Sequence, residues 1–323
     1  MALTINKENK IMVKMLSRLF LAIIFIFSGA IYCNAQTVKK TVKVAYLPIT
    51  HALPLYVEHA ASDNLKSAKI ELVRFGSWPE LMDALNTGKV DGASVLVELA
   101  IKTKENGIDL KAVALGHRDG NVVVTSLKIN TLADIKGKTF AIPHRLSSHN
   151  ILLHLLLRKA GITQSDIKVV ELPPPEMPVA LAEGRIDGYI VAEPFGAKSV
   201  VNGRGKLLYR SENLWQDSVC CVFVLRNDFI KKYTTEAKEL VAQYIKAGSF
   251  ITSNPLKTKE IAKQYIKVEP AVLDLSLQWI EYNDLRFKEK DYNELIKYMV
   301  ELNLLKSPPQ YSDFVDNSLF GGK

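Results

Sequence analysis

The chain has little cysteine, no long apolar run beyond its first thirty residues, no concentrated basic stretch and none of the common catalytic signatures. Of its three cysteines, Cys33 lies in the leader, and Cys220 and Cys221 are neighbours. Adjacent cysteines close a strained ring, so a structural disulfide is not expected. Within Val219-Cys220-Cys221-Val222-Phe223-Val224 they read as small apolar residues of a buried strand. Basic residues are scattered, and no helix–turn–helix segment precedes the α/β pattern, which argues against nucleic acid as a partner. There is no Gly-x-Gly-x-x-Gly after a strand, no Walker loop, no His-Glu-x-x-His and no Gly-x-Ser-x-Gly elbow. Gly203-Arg204-Gly205-Lys206 reads as a turn before a strand. No catalytic residue, cofactor or metal is expected.

What is present begins with a leader. Lys7, Lys10, Lys14 and Arg18 precede the apolar run 19–27, and small and polar residues follow, ending Cys33-Asn34-Ala35-Gln36. This order is that of a secretory signal, with removal of 1–35 expected. A retained membrane helix is disfavoured because the run falls short of the roughly 20 residues a bilayer needs. A lipid on Cys33 is a third option, although Ile31 and Tyr32 are bulky for such a site. The leader's net +3 leaves about +5 of the formal +8, a mild bias toward anionic ligands. The remaining ~290 residues suit two domains of the usual ~100–200 each.

A repeated phrase organises that remainder. Ala84-Leu85-Asn86-Thr87-Gly88-Lys89-Val90-Asp91-Gly92 returns 96 residues later as Ala180-Leu181-Ala182-Glu183-Gly184-Arg185-Ile186-Asp187-Gly188. Each copy reads as a helix end, a glycine turn and the start of a buried strand. Lys43-Val44-Ala45-Tyr46-Leu47-Pro48 is answered by Lys138-Thr139-Phe140-Ala141-Ile142-Pro143 in nearly the same register. The pattern predicts an α/β fold of two lobes, each a mainly parallel sheet flanked by helices. Strands are expected at 42–46, 69–75, 90–95 and 110–115, then at 139–142, 167–171, 187–191 and 206–209. Segments 121–126 and 220–225 are read as crossings between lobes. Lobe 1 is therefore 36–120 with 226–323, and lobe 2 is 121–225. Helices at 232–252, 256–266, 271–282 and 291–302 are expected to pack on lobe 1. Two crossings make a hinge, and ligands of open α/β sheets bind at the carboxyl ends of the strands.

The expected ligand-binding residues lie at those ends. Ser147, Ser148 and His149 open a helix directly after a strand, where free N–H groups and the helix dipole favour an anion. Ordinary capping by a serine explains the same residues, and both roles can coexist. Thr50 and His51 follow the first strand, with His51 either facing the cleft or solvated. Trp78 either closes over a planar ligand or staples a helix start. Ser94 and Val95, after the first copy of the phrase, admit a ligand close to the backbone or serve helix packing. Glu193, after the second copy, suits a ligand amine, a metal accompanying an anion, or the helix dipole. His144, His149 and His154 do not share one helical face and make poor joint metal ligands.

These residues resemble the nitrate/sulfonate/bicarbonate group of periplasmic substrate-binding proteins of ABC importers. The likeness runs through essentially the whole chain after the leader. It rests on the loop 46–55, on 173–181, on Gly184-Arg185-Ile186-Asp187-Gly188-Tyr189, and on Ala192-Glu193-Pro194-Phe195. His149-Asn150 and Trp78 fall where the nitrate and bicarbonate branch carries a site His and Trp. The resemblance implies the type II periplasmic-binding-protein fold and capture of a small anion or sulfonate by hinge closure. It also implies a periplasmic, monomeric protein serving a membrane permease and ATPase. One departure stands out: the nitrate-like pattern has a Lys near 215–218, and here the run is Trp215-Gln216-Asp217-Ser218. Without that cation, a sulfonate or a thiamine-precursor pyrimidine gains ground over nitrate. The rival from another class is a thiamine-pyrimidine synthase-like enzyme on the same fold, which export argues against. A ligand-sensing module for a membrane receptor is a third reading.

Overall fold

Each copy of the repeated phrase does the same three jobs in the folded chain. Gly88 and Gly184 take φ of 72° and 71°, a left-handed conformation that ends the preceding helix at little cost only for glycine. The next N–H then reaches back, Lys89 to Ala84 O and Arg185 to Ala180 O, both at 2.9 Å. The aspartate clamps the new strand to its neighbour. The Asp91 carboxylate accepts the Lys43 N–H at 2.8 Å, and the Asp187 carboxylate accepts the Thr139 N–H at 2.9 Å. The closing glycine permits close packing: a Cβ on Gly92 would lie 2.6 Å from Val224 O, and one on Gly188 would lie 2.5 Å from the Phe140 ring.

The computed structural model describes Met12, residues 14–16 and residues 38–320. The leader's apolar core, Cys33 and the expected cut after Ala35 lie outside the described residues. From Lys39 onward the chain is one compact unit. It begins β1 (Lys40–Tyr46), α1 (Leu53–Ala60), β2 (Ala68–Arg74), α2 (Trp78–Asn86), β3 (Gly92–Leu96), α3 (Val97–Glu105) and β4 (Leu110–Leu115). It continues β5 (Arg118–Asp119), β6 (Asn121–Thr125), β7 (Thr139–Ile142), α4 (Ser148–Lys159), β8 (Lys168–Glu171), α5 (Met177–Ala182), β9 (Gly188–Ala192), α6 (Phe195–Val201) and β10 (Lys206–Arg210). After β11 (Cys221–Arg226) come α7 (Asn227–Lys232), α8 (Thr234–Ser253), α9 (Pro255–Tyr265), α10 (Pro270–Ser276), β12 (Ile280–Glu281), α11 (Glu289–Glu301) and α12 (Tyr311–Phe314). No helix among the described residues is long and apolar enough to cross a membrane.

Two five-stranded sheets result, ordered β2-β1-β3-β11-β4 and β8-β7-β9-β6-β10. Written this way their topologies coincide. In each sheet the first three strands run parallel, and the fourth, β11 or β6, is antiparallel to both neighbours. Those fourth strands are the segments read from the sequence as crossings. Each is a full sheet member, buried along most or all of its length. Because it runs backwards, its first residue lies level with the carboxyl ends of the parallel strands: Cys221 pairs with Leu96, and Asn121 with Ala192. That register sets which side chains reach the space between the sheets.

The C-terminal helices cover more than the first sheet. Tyr244 of α8 stacks on Phe223 at 4.8 Å, and Tyr265 of α9 stacks on Tyr56 at 4.5 Å. The segment after them departs from the expected helix 271–282. It ends as a helix at Ser276, and Ile280–Glu281 turns into a short strand against β5. From there α10 packs on α6, and Tyr298 of α11 meets Trp215 edge-on at 5.1 Å. The helical region therefore bears on both sheets rather than on the first alone.

Candidate functional site

The carboxyl ends of the parallel strands and the starts of β6 and β11 converge on a group of polar residues with no solvent exposure. From the first sheet come Thr50 and His51 after β1, Glu98 in the first turn of α3, His117 after β4, and Cys220 and Cys221 at the start of β11. From the second come Asn121 at the start of β6, Ser147 to His149 at the start of α4, and Glu193 after β9. The two groups touch. Both the Thr50 N–H and its hydroxyl donate to the Glu193 carbonyl at 3.0 Å, and Ser276 and Tyr282 close over Thr50. His51 Nε2 lies 3.0 Å from Gly120 O, and Cys220 Sγ lies 3.7 Å from Asn121 Oδ1.

Burial of polar groups costs free energy unless they are paired, about 1–3 kcal/mol for each orphan. Here many are unpaired. Ser148 Oγ, both nitrogens of His149, both nitrogens of His117, both oxygens of Glu98, Asn121 Nδ2 and Glu193 Oε1 have no hydrogen-bond partner. Ser147, by contrast, caps α4 by accepting the Asn150 N–H. Ser147 is thus the cap, and the Ser148 hydroxyl is left without a hydrogen-bond partner. Orphaned donors and acceptors from two sheets are thus buried together where the strand ends face one another.

Burial also sets the charges. It pushes Glu193 up to about 8, opposed only by the Ala197 N–H. Burial likewise raises Glu98 far above the carboxylate range, helped by the nearby Cys220 sulfur; Ser148 eases it down without reaching bonding geometry. Glu193 is therefore largely protonated at neutral pH, and burial favours the neutral form of Glu98. Burial lowers His117 to about 4, reinforced by His51. It also lowers His149 to about 4, with Cys220 opposing and His51 and His117 assisting. Burial alone would push the Cys220 thiol up. The Cys221 thiol and the imidazoles of His149, His51 and His117 reverse that and hold it well below its usual value. Cys221 moves the other way, raised by burial and by its neighbour. The two thiols are thus driven in opposite directions, Cys220 down and Cys221 up. Among the described residues the only buried Lys or Arg is Arg118, committed to Asp291 at 2.7 Å.

The sequence-predicted residues are distributed unevenly across this region. Thr50, His51, Ser147, Ser148, His149 and Glu193 all reach it. His51 is fully buried, which removes the alternative of a solvated loop residue. Ser94 and Val95 lie inside β3, paired with Phe223 and Val222, rather than beyond the strand's end. The position after that end is held by Val97 and Glu98, the counterpart of Glu193 in the second sheet. Trp78 starts α2 packed among Leu81, Leu85 and other core residues, with its Nε1 unpartnered. Sequence reasoning missed Glu98, His117 and Asn121, and treated Cys220 and Cys221 as packing alone. The two cysteines are indeed buried, free thiols at a strand's start. The fold also sets them with His51 and His117 so that one donor atom of each lies within 4.8 Å of the others, a group able to hold a metal ion. The signal available in the sequence was the Gly116-His117 step after an apolar strand, matching Thr50-His51 after another.

Two sheets of one topology with a polar site at their facing ends define the periplasmic-binding-protein fold, and solved structures agree. A ligand-binding component of an ABC-type import system from Staphylococcus aureus, solved with zinc bound, superposes with a TM-score of 0.83. It shares 39% identity and covers 87% of this chain and 98% of its own. The periplasmic nitrate-binding protein NrtA from Synechocystis shares the fold at TM-score 0.73 and 17% identity, over 88% of each chain. Residues 35–266 match the NMT1-like family, and the chain belongs to it. The taurine-binding periplasmic protein of Escherichia coli is 31% identical over 69% of this chain and 69% of its own length. The nitrate import ATP-binding protein NrtC of Synechocystis is 26% identical over 65% of this chain. The chain spans about a third to a half of the length of the first curated relatives it matches.

Proposed function

We propose that this protein is the extracytoplasmic solute-binding component of an ABC importer. Exported by the leader 1–35, it closes the lobe of the first sheet, which includes β11, and the lobe of the second sheet around a small anion of the nitrate, sulfonate or bicarbonate class. It then presents the closed form, as a monomer, to a permease and its ATPase. The observation that carries this reading is the fully buried set of unpartnered polar atoms drawn from both sheets, Ser148, His149, His117, Glu98 and Asn121. A ligand seated among them satisfies groups that are otherwise stranded, and does so only when the lobes are together. Such a ligand binds the closed state more tightly than the open one, which is the requirement for trapping. The N-terminus of α4 supplies N–H groups and a dipole suited to an oxyanion, and protonated Glu193 supplies a donor instead of a repelling charge.

The relatives support binding over catalysis and the anion class over a pyrimidine. Those named are a taurine-binding protein, a nitrate/nitrite-binding protein, an aliphatic sulfonates-binding protein and importer ATPases for nitrate and bicarbonate. The test is thermal unfolding of the purified protein with nitrate, bicarbonate, taurine, an alkanesulfonate and a hydroxymethyl-pyrimidine. A specific ligand at a hundredfold excess over Kd stabilises by about 2.7 kcal/mol and raises the melting temperature accordingly. A shift with a sulfonate or an inorganic anion is expected. No shift with any of them at millimolar concentration refutes the solute class, and a shift with the pyrimidine alone replaces it.

A further inference from the structure

Four donors lie together on the first sheet's side of this site, and their spacing is informative. Cys220 Sγ and Cys221 Sγ are 3.9 Å apart, and His51 Nδ1 is 3.6 Å from the first and 3.7 Å from the second. A tetrahedral zinc ion with Zn–S bonds of about 2.3 Å and Zn–N bonds of about 2.0–2.1 Å has an S···S edge of about 3.8 Å and S···N edges of about 3.6 Å. The three measured separations are those of one face of such a tetrahedron. A disulfide would need the two sulfurs at about 2.05 Å.

The orientation of His51 points the same way. Its Nε2 meets the Gly120 carbonyl at 3.0 Å, and a carbonyl only accepts, so Nε2 holds the ring proton. The Nδ1 lone pair is therefore the one turned between the two sulfurs. A backbone carbonyl fixing the far nitrogen is the usual support of a metal-ligating histidine. The fourth donor, His117, stacks on His51 with ring centroids 3.7 Å apart, and both its nitrogens are buried without a partner. An apolar role for Cys220 and Cys221 explains neither the convergence of two imidazoles on them nor the unpartnered nitrogens of His117.

We propose that His51, His117, Cys220 and Cys221 bind one thiophilic divalent cation of the zinc class, in a closed four-ligand site whose two thiolates balance the charge of the ion. All four ligands belong to the first-sheet side, so the ion loads before closure. Thiolate and imidazole donors select zinc-like ions over magnesium or calcium.

The test uses the purified, fully reduced protein. Co²⁺ is titrated as an optical probe of tetrahedral thiolate coordination, and Zn²⁺ is used to displace it. One equivalent with a thiolate-to-cobalt charge-transfer band is expected. The band is lost in Cys220→Ser/Cys221→Ser and weakened in His117→Gln, with folding verified by circular dichroism. If the double variant unfolds, protection of the two thiols from a thiol reagent by stoichiometric Zn²⁺ in the unaltered protein gives the same reading. No thiolate band and no protection overturns the metal site, as does a band that survives in the folded double variant.

Discussion

Glu193 offers the sharpest prediction, because its burial makes folding stability depend on pH with a definite sign. Its folded pKa is pushed up to about 8 from an ordinary value of 4.5. An acid whose folded pKa is raised contributes stability that is fully present below the unfolded pKa and is lost as pH rises through the folded one. The window therefore runs from about pH 4.5 to about pH 8. Across it the loss approaches 3.5 pH units at about 1.36 kcal/mol each, on the order of 5 kcal/mol as an upper bound. Glu193→Gln keeps the side chain's shape and the acceptor for the Ala197 N–H while removing the titration. The measurement is urea unfolding of both proteins at pH 5, 6, 7, 8 and 9. The variant should match the parent near pH 5 and become more stable than it by about 2–5 kcal/mol at pH 9, with the gap opening between pH 5 and 8. Parallel curves across the range would show that Glu193 is not held neutral by burial, and the description of the site as closed would fail with it.

Three further outcomes follow from the same structure. His149, lowered by burial to about 4, stays neutral well below its ordinary 6.5, so its contribution to stability is present above pH 6.5 and is lost as pH falls toward 4. NMR titration of its ring should show no inflection between pH 8 and 5, and an inflection near 6.5 would refute the buried placement. Asp187→Ala removes the carboxylate that accepts the Thr139 N–H at 2.9 Å and should cost about 1–3 kcal/mol, read from the urea midpoint, with Asp91→Ala behaving alike because it makes the same bond to Lys43. Gly188→Ala places a Cβ 2.5 Å from the Phe140 ring and should destabilise by about 1–3 kcal/mol or more, whereas Gly137→Ala, with open space around it, should lose only what its positive φ of 76° demands.

The extent to which the sequence foretold these features varies with how local each one is. The repeated phrase announced both its glycine turns and its strand starts, because helix termination and close strand packing depend on a few adjacent residues. Its aspartates were not assigned a bonding role, yet they anchor both sheets in the same way. The helix at Ser148–Lys159 and its capping serine were legible for the same local reason. Segments 121–126 and 220–225 were visible as extended and Val-rich. Their placement as antiparallel strands inside the sheets was not, since partner choice lies with residues far along the chain.

The leader, the two-copy α/β pattern and the anion-favouring start of α4 follow from short-range chemistry, in which apolar periodicity, glycine and capping residues suffice. The gathering of His51 with Cys220, 169 residues apart, belongs to the tertiary structure alone. So do the upward shifts of Glu98 and Glu193, the tautomer of His51 and the recruitment of His117. Each arises because antiparallel β11 and β6 begin where the parallel strands end, which brings distant polar groups into one volume that water cannot enter. Charge state and metal affinity are properties of that shared volume, and no stretch of chain possesses them by itself.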